Sequence, residues 1–458
     1  MSWVEHELGK ASLGDQRLTA RAKILLERLV SQPSASFPAA CRGWDETQAA
    51  YRFFDNAKVT DKKVLAPHQA ATQCRMAEHD VVLCLQDTTE LDYSRQTQTQ
   101  GLGPLTYDNQ LGLYLHPTLA VTPQRLCLGV LDALAWARPE ADYGKSHHRK
   151  NKPIEDKESI RWIEGYKNVC RISAELTNTQ CVYIADRESD IYELFVEGEN
   201  QHHQADWLIR ATQDRRLLDE MKISDALAYT QPLGDIEFTL PPSHQRAEKQ
   251  VRQTLKACRV ELHPPQRTGN KLDSVEVTVL LAQELNPPEG EEPVTWILLS
   301  NLQITTLAQA IEKIQWYLCR WQIEIYFRIL KSGCKVEKLQ LEHIDRLRPA
   351  LSLYMIVAWR VLYLTMLGRE CPDLPCDLVF DTEEWQAIYI VTHKTTPPLK
   401  PPTLNTMLRM MASFGGFLGR KNDGEPGPQT VWLGLQRARD FVLAFRAQNA
   451  IRTTNICV

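Results

Sequence analysis

Two short apolar runs, VVLCLQD at residues 81–87 and VYIAD at 182–186, constrain this chain more than any other feature. Each is continuous rather than alternating and too short for a core helix, which is the pattern of a strand buried on both faces. Each also runs into an aspartate. Strands covered on both sides need helices above and below, so the predicted fold class is α/β, a mixed sheet flanked by helices. In open α/β sheets ligands gather beyond the carboxyl ends of the strands, which is where Asp87 and Asp186 would stand.

Helical patterning surrounds these strands. In LGDQRLTARAKILLERLV (13–30), Leu18, Ala22, Leu25 and Leu29 recur at helical spacing as a core face, and Arg17, Arg21 and Arg28 project from another side. SQPSASFP (31–38) reads as a loop, and WDETQAAYRFFDN (44–56) as a second helix ending near Asn56. A helix is expected from about Glu188, just after the second aspartate. Between about 232 and 300, alternation at Ile236, Phe238, Leu240 and at Val275, Val277, Val279, broken by LPPS, HPPQ and NPPEGEEP, predicts a β insertion. ALSLYMIVAWRVLYLTML (350–367) is long enough to cross a membrane, but it contains Arg360 and has no counterpart, so a buried helix is expected. TTPPLKPPT (395–403) reads as a stiff connection, and the glycine-rich GGFLGRKNDGEPGP as a loop before a last helix from about Trp432.

Composition narrows the function classes. With 53 Lys and Arg against 57 Asp and Glu the formal charge is −4, so a polyanion site would need locally sorted charge. The twelve cysteines are dispersed without a CxxC pair, and MSWVEHELGK has no signal-peptide core; a reduced, cytoplasmic compartment and no membrane are expected. His116 and the His147–His148 pair lack the spacing of zinc ligands. KSHHRKNK (145–152) is either a phosphate-binding patch or a basic loop.

Charge is sorted most clearly in YLCRWQIEIYFRILK (317–331). At about 100° per residue, Tyr317, Arg320, Glu324 and Lys331 share an arc of roughly 80° with Lys313, Arg328 and Lys335. Apolar residues flank that arc on both sides. The strip is cationic apart from Glu324. One reading is a solvated stripe with Glu324 paired to Arg320 or Arg328. The other is a polyanion grip whose lone carboxylate joins Asp87 and Asp186 around hard divalent cations, Mg²⁺ by preference. Three acids from two strands and a helix can hold two ions for phosphoryl transfer, and clustered carboxylates repel unless something neutralises them.

The Tyr-x2-Arg-x3-Glu-x6-Lys spacing at 317–331 resembles the YREK signature of bacterial insertion-sequence transposases of the DDE class. QDTTELDY (86–93) and ADRESDIY (185–192) are similar to the segments carrying that family's first and second catalytic aspartates. LGDQRLTARA, AYRF, KES-x2-W (157–162), W-x-LLS (296–300) and GGFLGRK extend the resemblance over essentially the whole chain. It implies a helical DNA-end-binding domain (1–66), an RNase H-like catalytic domain (67–368) interrupted by the β insertion, and a helical dimerisation region (369–458). It implies that Asp87, Asp186 and Glu324 ligate two Mg²⁺ or Mn²⁺ ions, and that Tyr317, Arg320, Lys331 and Arg210 contact DNA phosphates, with Arg328 and Lys335 beside them. Trp296 and Trp321 would receive or replace a flipped base, and Arg17, Arg21, Arg42 and Arg52 would read the element's end. The implied partners are double-stranded DNA, both terminal inverted repeats and target, and a second copy of the chain. A DNA-end-binding regulator without catalysis, and a paired-carboxylate glycosidase, are the competing readings; the intact acids oppose the first and the cationic strip the second.

Overall fold

The computed structural model describes residues 3–9, 11–107, 109–139, 153–240, 249–266 and 271–456; the basic stretch 145–152, with His147 and His148, lies outside them. Eleven strands form one sheet among the described residues. They are β1 (Val81–Gln86), β2 (Thr89–Asp92), β3 (Gly103–Pro104), β4 (Leu111–Val121), β5 (Cys127–Trp136), β6 (Gln180–Ala185), β7 (Asp206–Arg210), β8 (Gly234–Leu240), β9 (Lys249–Leu262), β10 (Val275–Glu284) and β11 (Thr295–Ser300). The two apolar runs became β1 and β6, and they lie side by side in parallel. β7 continues the parallel set, while β4 pairs antiparallel with β1, β2 and β5.

Alternation along β1 and β6 divides the core into two layers. Val82, Cys84, Cys181 and Tyr183 face the helices Ile160–Glu175 and Tyr192–Asn200. Leu83, Leu85, Val182 and Ile184 face the helices Asp61–Met76, Leu307–Leu318, Trp321–Arg328 and Ile344–Glu370. Continuous apolar runs were needed because both faces are buried. The result is an RNase H-like mixed sheet flanked by helices, with helical N- and C-terminal regions.

The stretch from 232 to 300 holds β8–β11, and β11 returns antiparallel to β7 with Leu298 opposite Arg210. The insertion therefore lengthens the central sheet rather than standing apart from it. The boundaries at 66/67 and 368/369 both fall inside helices, Asp61–Met76 and Ile344–Glu370. The first is also tied down by charge. Buried Glu7, on the helix Trp3–Leu8, accepts from Arg75 at 2.6 Å and lies 2.6 Å from His68 Nδ1. His68 Nε2 accepts from the Val130 N–H at 3.1 Å, so the ring proton sits on Nδ1 and is donated to Glu7. The apolar helix Ile344–Glu370 is membrane-length, but 94% of its most apolar window is buried inside the protein. Arg360, within it, donates to the Val379 carbonyl at 2.9 Å. The last helix starts at Pro428, four residues before Trp432. After Asp186 the chain makes a 3₁₀ turn, Arg187–Ser189, and the expected helix begins only at Tyr192. Asp186 itself caps that turn, accepting from the Glu188 N–H at 2.9 Å.

Candidate active site

The ladder registers place the acids. The β1–β6 ladder ends with Leu85 opposite Ile184, and the β6–β7 ladder with Ala185 opposite Ile209. Continued past those pairs, the same registers set Asp87 beside Asp186 and Asp186 beside Arg210, on strands about 4.8 Å apart. Side chains two apart share a face, so all three follow Leu85, Ile184 and Leu208 toward the layer holding the Glu324 helix.

Why β1 stops at Gln86 is written in its partner. The β1–β4 and β2–β4 pairings share one register, in which Asp87 and Thr88 fall opposite Pro117 and His116. Proline has no N–H to give the ladder. The strand is released there, and Thr88 turns its hydroxyl to His116 Nδ1 at 2.8 Å while its N–H caps the Asp87 carboxylate at 2.7 Å.

The helix carrying Glu324 is not the uninterrupted cylinder that the 100° wheel assumes. Leu307–Leu318 ends in a tightened turn, with Arg320 N–H bonding the Tyr317 carbonyl at 3.0 Å and Ile323 N–H the Arg320 carbonyl at 3.1 Å, both three residues back. Trp321–Arg328 follows, and Ile329–Gly333 opens into a π-turn closed by the Cys334 N–H on the Ile329 carbonyl at 2.8 Å. One turn advances faster than an α-helix and the other slower, so the wheel loses phase at both ends. Lys335 then adopts a left-handed conformation (φ 52°) and is exposed, outside any helix. Lys313 is buried, pairing with Glu312 and lying 3.5 Å from the Trp316 ring centre.

The middle of the strip holds together. Arg320 Nη1 donates to Asp87 Oδ2 at 3.0 Å, and Nη2 to Glu324 Oε1 at 2.7 Å. A strand acid and a helix acid, 237 positions apart in sequence, thus meet on one guanidinium. Burial first, then Asp186, pushes the Asp87 carboxyl up to about 7; the Thr88 N–H and Arg320 pull it down, and Glu324 adds to the rise. Tyr317 is buried, which raises its phenol, while the charges of Arg320 and Arg210 lower it and that of Asp186 raises it. Tyr317, Arg320, Arg210, Asp186, Asp87 and Glu324 therefore form one electrostatic neighbourhood.

The donor set suits a hard divalent cation: carboxylate oxygens, no thiolate or imidazole, and at Asp87 a carboxyl that burial and the neighbouring Asp186 push up. Arg320 lies between two of the three acids, and among the described residues no three His, Cys, Asp or Glu side chains form a finished metal cage. Two of the three acids expected to ligate metal directly, Asp87 and Glu324, thus share a guanidinium, and Asp186 stands beside Asp87 in register.

Lys331, in the π-turn, is partly exposed and 3.9 Å from Glu337, and Arg328 is exposed. Trp321 is 55% exposed, with the Arg320 guanidinium 5.3 Å from its ring centre. Trp296 is half-buried and stacks on Phe238 of β8, centres 5.9 Å apart. In the N-terminal region Arg17, Arg42 and Arg52 are exposed and Arg21 half-buried, on the helices Gln16–Ser31 and Trp44–Phe54 and the loop between. Arg28, which shares a side of the first of these helices with Arg17 and Arg21, forms a two-point ion pair with Glu46 at 3.0 and 3.1 Å.

Sequence reasoning missed a supporting layer. Arg161 donates to Thr88 Oγ1 at 3.1 Å and to Glu188 at 2.9 Å. The same hydroxyl lies 2.8 Å from His116 Nδ1, and burial, with the charge of Arg161, holds that buried ring well below its usual pKa and neutral. Arg161 sits within KES-x2-W and Glu188 within ADRE, stretches whose local pattern carries no sign of these contacts.

Comparison with known families decides the class. A Transposase DNA-binding model matches residues 1–59, a Transposase DDE domain model residues 156–359, and a Transposase Tn5 dimerisation domain model residues 356–454. The chain carries three transposase domains, the last of the Tn5 dimerisation type. Asp186 and Glu324 fall inside the matched DDE range, whereas Asp87 precedes it and is tied to the site by strand register and by Arg320. Among solved structures, a piggyBac transposase in a synaptic complex with hairpin DNA aligns with 8% identity and a TM-score of 0.32. That alignment takes in 68% of this transposase chain and 52% of the other, about half its length.

Proposed function

We propose that this transposase binds the terminal repeats of its own mobile element, cuts the element out and joins its 3′ ends to new DNA, resembling the transposase of the kanamycin-resistance composite transposon. The observation that carries this reading is the meeting of Asp87 and Glu324 on Arg320, with Asp186 and Arg210 next in register. Two Mg²⁺ or Mn²⁺ ions, once bound, would supply an activated nucleophile and stabilise the leaving oxygen. Asp87, Asp186 and Glu324 would hold them. Tyr317, Arg320, Arg210 and Lys331 grip the phosphates beside the scissile bond, where charge-assisted and forked contacts fix the in-line geometry. Arg328 and Lys335 reach the neighbouring backbone.

Water attacks at the element's end, the freed 3′-hydroxyl closes a hairpin on the opposite strand, a second water reopens it, and the new 3′-hydroxyl attacks the target. Each step is an in-line displacement, so one site serves all four. A hairpin bends the strand sharply, and unstacking a base against Trp296, with Trp321 filling the space left behind, relieves that bend. Arg17, Arg21, Arg42 and Arg52 position the repeat, and a homodimer brings two ends together. The test is incubation of purified protein and Mg²⁺ with a duplex bearing the element's ends. A hairpinned fragment from wild type, and none from Asp87→Ala, is expected; intact DNA from both sinks the proposal.

A further inference from the structure

Arg320 is asked to do two things that compete for one guanidinium. Its side chain is 11% exposed, and each terminal nitrogen gives one N–H to an acid, Nη1 to Asp87 at 3.0 Å and Nη2 to Glu324 at 2.7 Å. Its Nε–H is buried without an acceptor among the described residues. Forked recognition of a phosphate needs two parallel N–H groups on one face of the fork. The pose that bridges the carboxylates commits one N–H of each terminal nitrogen, points that edge of the guanidinium at the acids and leaves Nε–H unmet. A divalent cation, in turn, needs the same carboxylate oxygens that the guanidinium holds.

We propose that Arg320 is a gate that makes metal binding depend on DNA. Resting on the reading of Asp87, Asp186 and Glu324 as metal ligands, the gate works by exchange of partners. In the free protein the guanidinium neutralises Asp87 and Glu324 and competes with divalent ions. When the end of the DNA arrives, a phosphate takes the guanidinium, and two carboxylates are released to the cation as it enters. Glu324 is 39% exposed and offers the way out. Coupling of this kind is reciprocal: metal must tighten DNA binding by the factor with which DNA tightens metal binding.

The probe is Mn²⁺, followed by the electron paramagnetic resonance of the free aqua ion, with and without a pre-cleaved duplex carrying the terminal repeat. Wild type without DNA is expected to bind Mn²⁺ weakly, and Arg320→Gln roughly tenfold or more tightly. The duplex should raise Mn²⁺ affinity strongly in wild type and much less in Arg320→Gln. Arg320→Lys keeps the charge but cannot span two carboxylates, so it too should bind Mn²⁺ more tightly than wild type without DNA. If circular dichroism shows the glutamine variant unfolded, the lysine variant and the reciprocal effect of Mn²⁺ on wild-type duplex affinity decide. Equal Mn²⁺ affinity in wild type and variants, or equal enhancement by duplex, overturns the gate and leaves the metal reading standing. Failure of every protein to bind Mn²⁺ even with duplex overturns the metal reading, and the gate falls with it.

Discussion

Asp87→Asn separates the cost of the site from its use. Burial and the adjacent Asp186 raise the Asp87 carboxyl from 3.8 to about 7. The folded protein therefore holds that proton more tightly than the unfolded chain, and the ionised side chain subtracts stability as pH climbs from the unfolded value through the folded one. At about 1.4 kcal/mol per pH unit, the gap amounts to as much as roughly 4 kcal/mol at pH 8, about half of that at pH 5.5, and little near pH 4. Asparagine keeps an oxygen for the Thr88 N–H and discards the charge, while Arg320 retains Glu324. In urea titrations with chelator present, the variant should outlast wild type at pH 8, lose about half its advantage at pH 5.5, and cleave nothing when Mg²⁺ is restored. A variant less stable than wild type at pH 8, or an advantage that ignores pH, would refute this account of the site's electrostatics.

Four further outcomes follow from the packing. Glu7→Ala strands buried His68 and partly buried Arg75, and should cost about 3–5 kcal/mol in urea titration with faster proteolysis of the N-terminal helix. Gly165→Ala would place a methyl 1.8 Å from the Gln86 amide, which bonds Thr118 and Tyr183 at 2.8 Å each immediately before Asp87. It should cost about 1–3 kcal/mol and lower cleavage, read by melting and by the hairpin gel. Trp321→Ala should change stability by less than about 0.5 kcal/mol yet lower hairpin yield. Trp296→Ala should lower hairpin yield and also lose about 0.5–1.5 kcal/mol with the Phe238 stack.

What was legible in the sequence was whatever local pattern decides. β1 and β6 declare themselves because strands buried on both faces cannot alternate, and Asp87 and Asp186 declare themselves by ending those runs. Glu324 and Arg320 were legible as an i,i+4 pair on an otherwise apolar helix. β4 was not, since Pro117 and His116 in the middle of LGLYLHPTLAV argue against a central strand, and only the gap opposite them at Asp87–Thr88 makes the proline admissible. Lys313 and Lys335 were misplaced because the wheel carries no record of backbone hydrogen bonds that shift to three or five residues back. Arg28 looked like its neighbours Arg17 and Arg21 until the Trp44–Phe54 helix brought Glu46 against it.

The two backbone irregularities around Glu324 have a common consequence. A regular helix would keep Tyr317, Arg320, Glu324 and Lys331 in one line, with the basic groups spaced evenly along it. Tightening at 319–320 sits where the Arg320 side chain reaches the strand ends, and the guanidinium there bridges the sheet and its own helix. Opening at 329–333 turns Lys331 aside toward Glu337, which accepts the Asp92 N–H at 3.0 Å on the far side of the β1–β2 break. Arginine is thereby held among the acids and lysine away from them. That division matters for phosphoryl transfer: a cation between the carboxylates competes with metal, and a cation a turn away can hold DNA without doing so. The helix could not have achieved it by choice of side chains alone, because in regular α-geometry residues four and seven apart share a face. The distortion of the backbone is what sets the two positive charges of one motif apart, Arg320 between the acids and Lys331 beside Glu337.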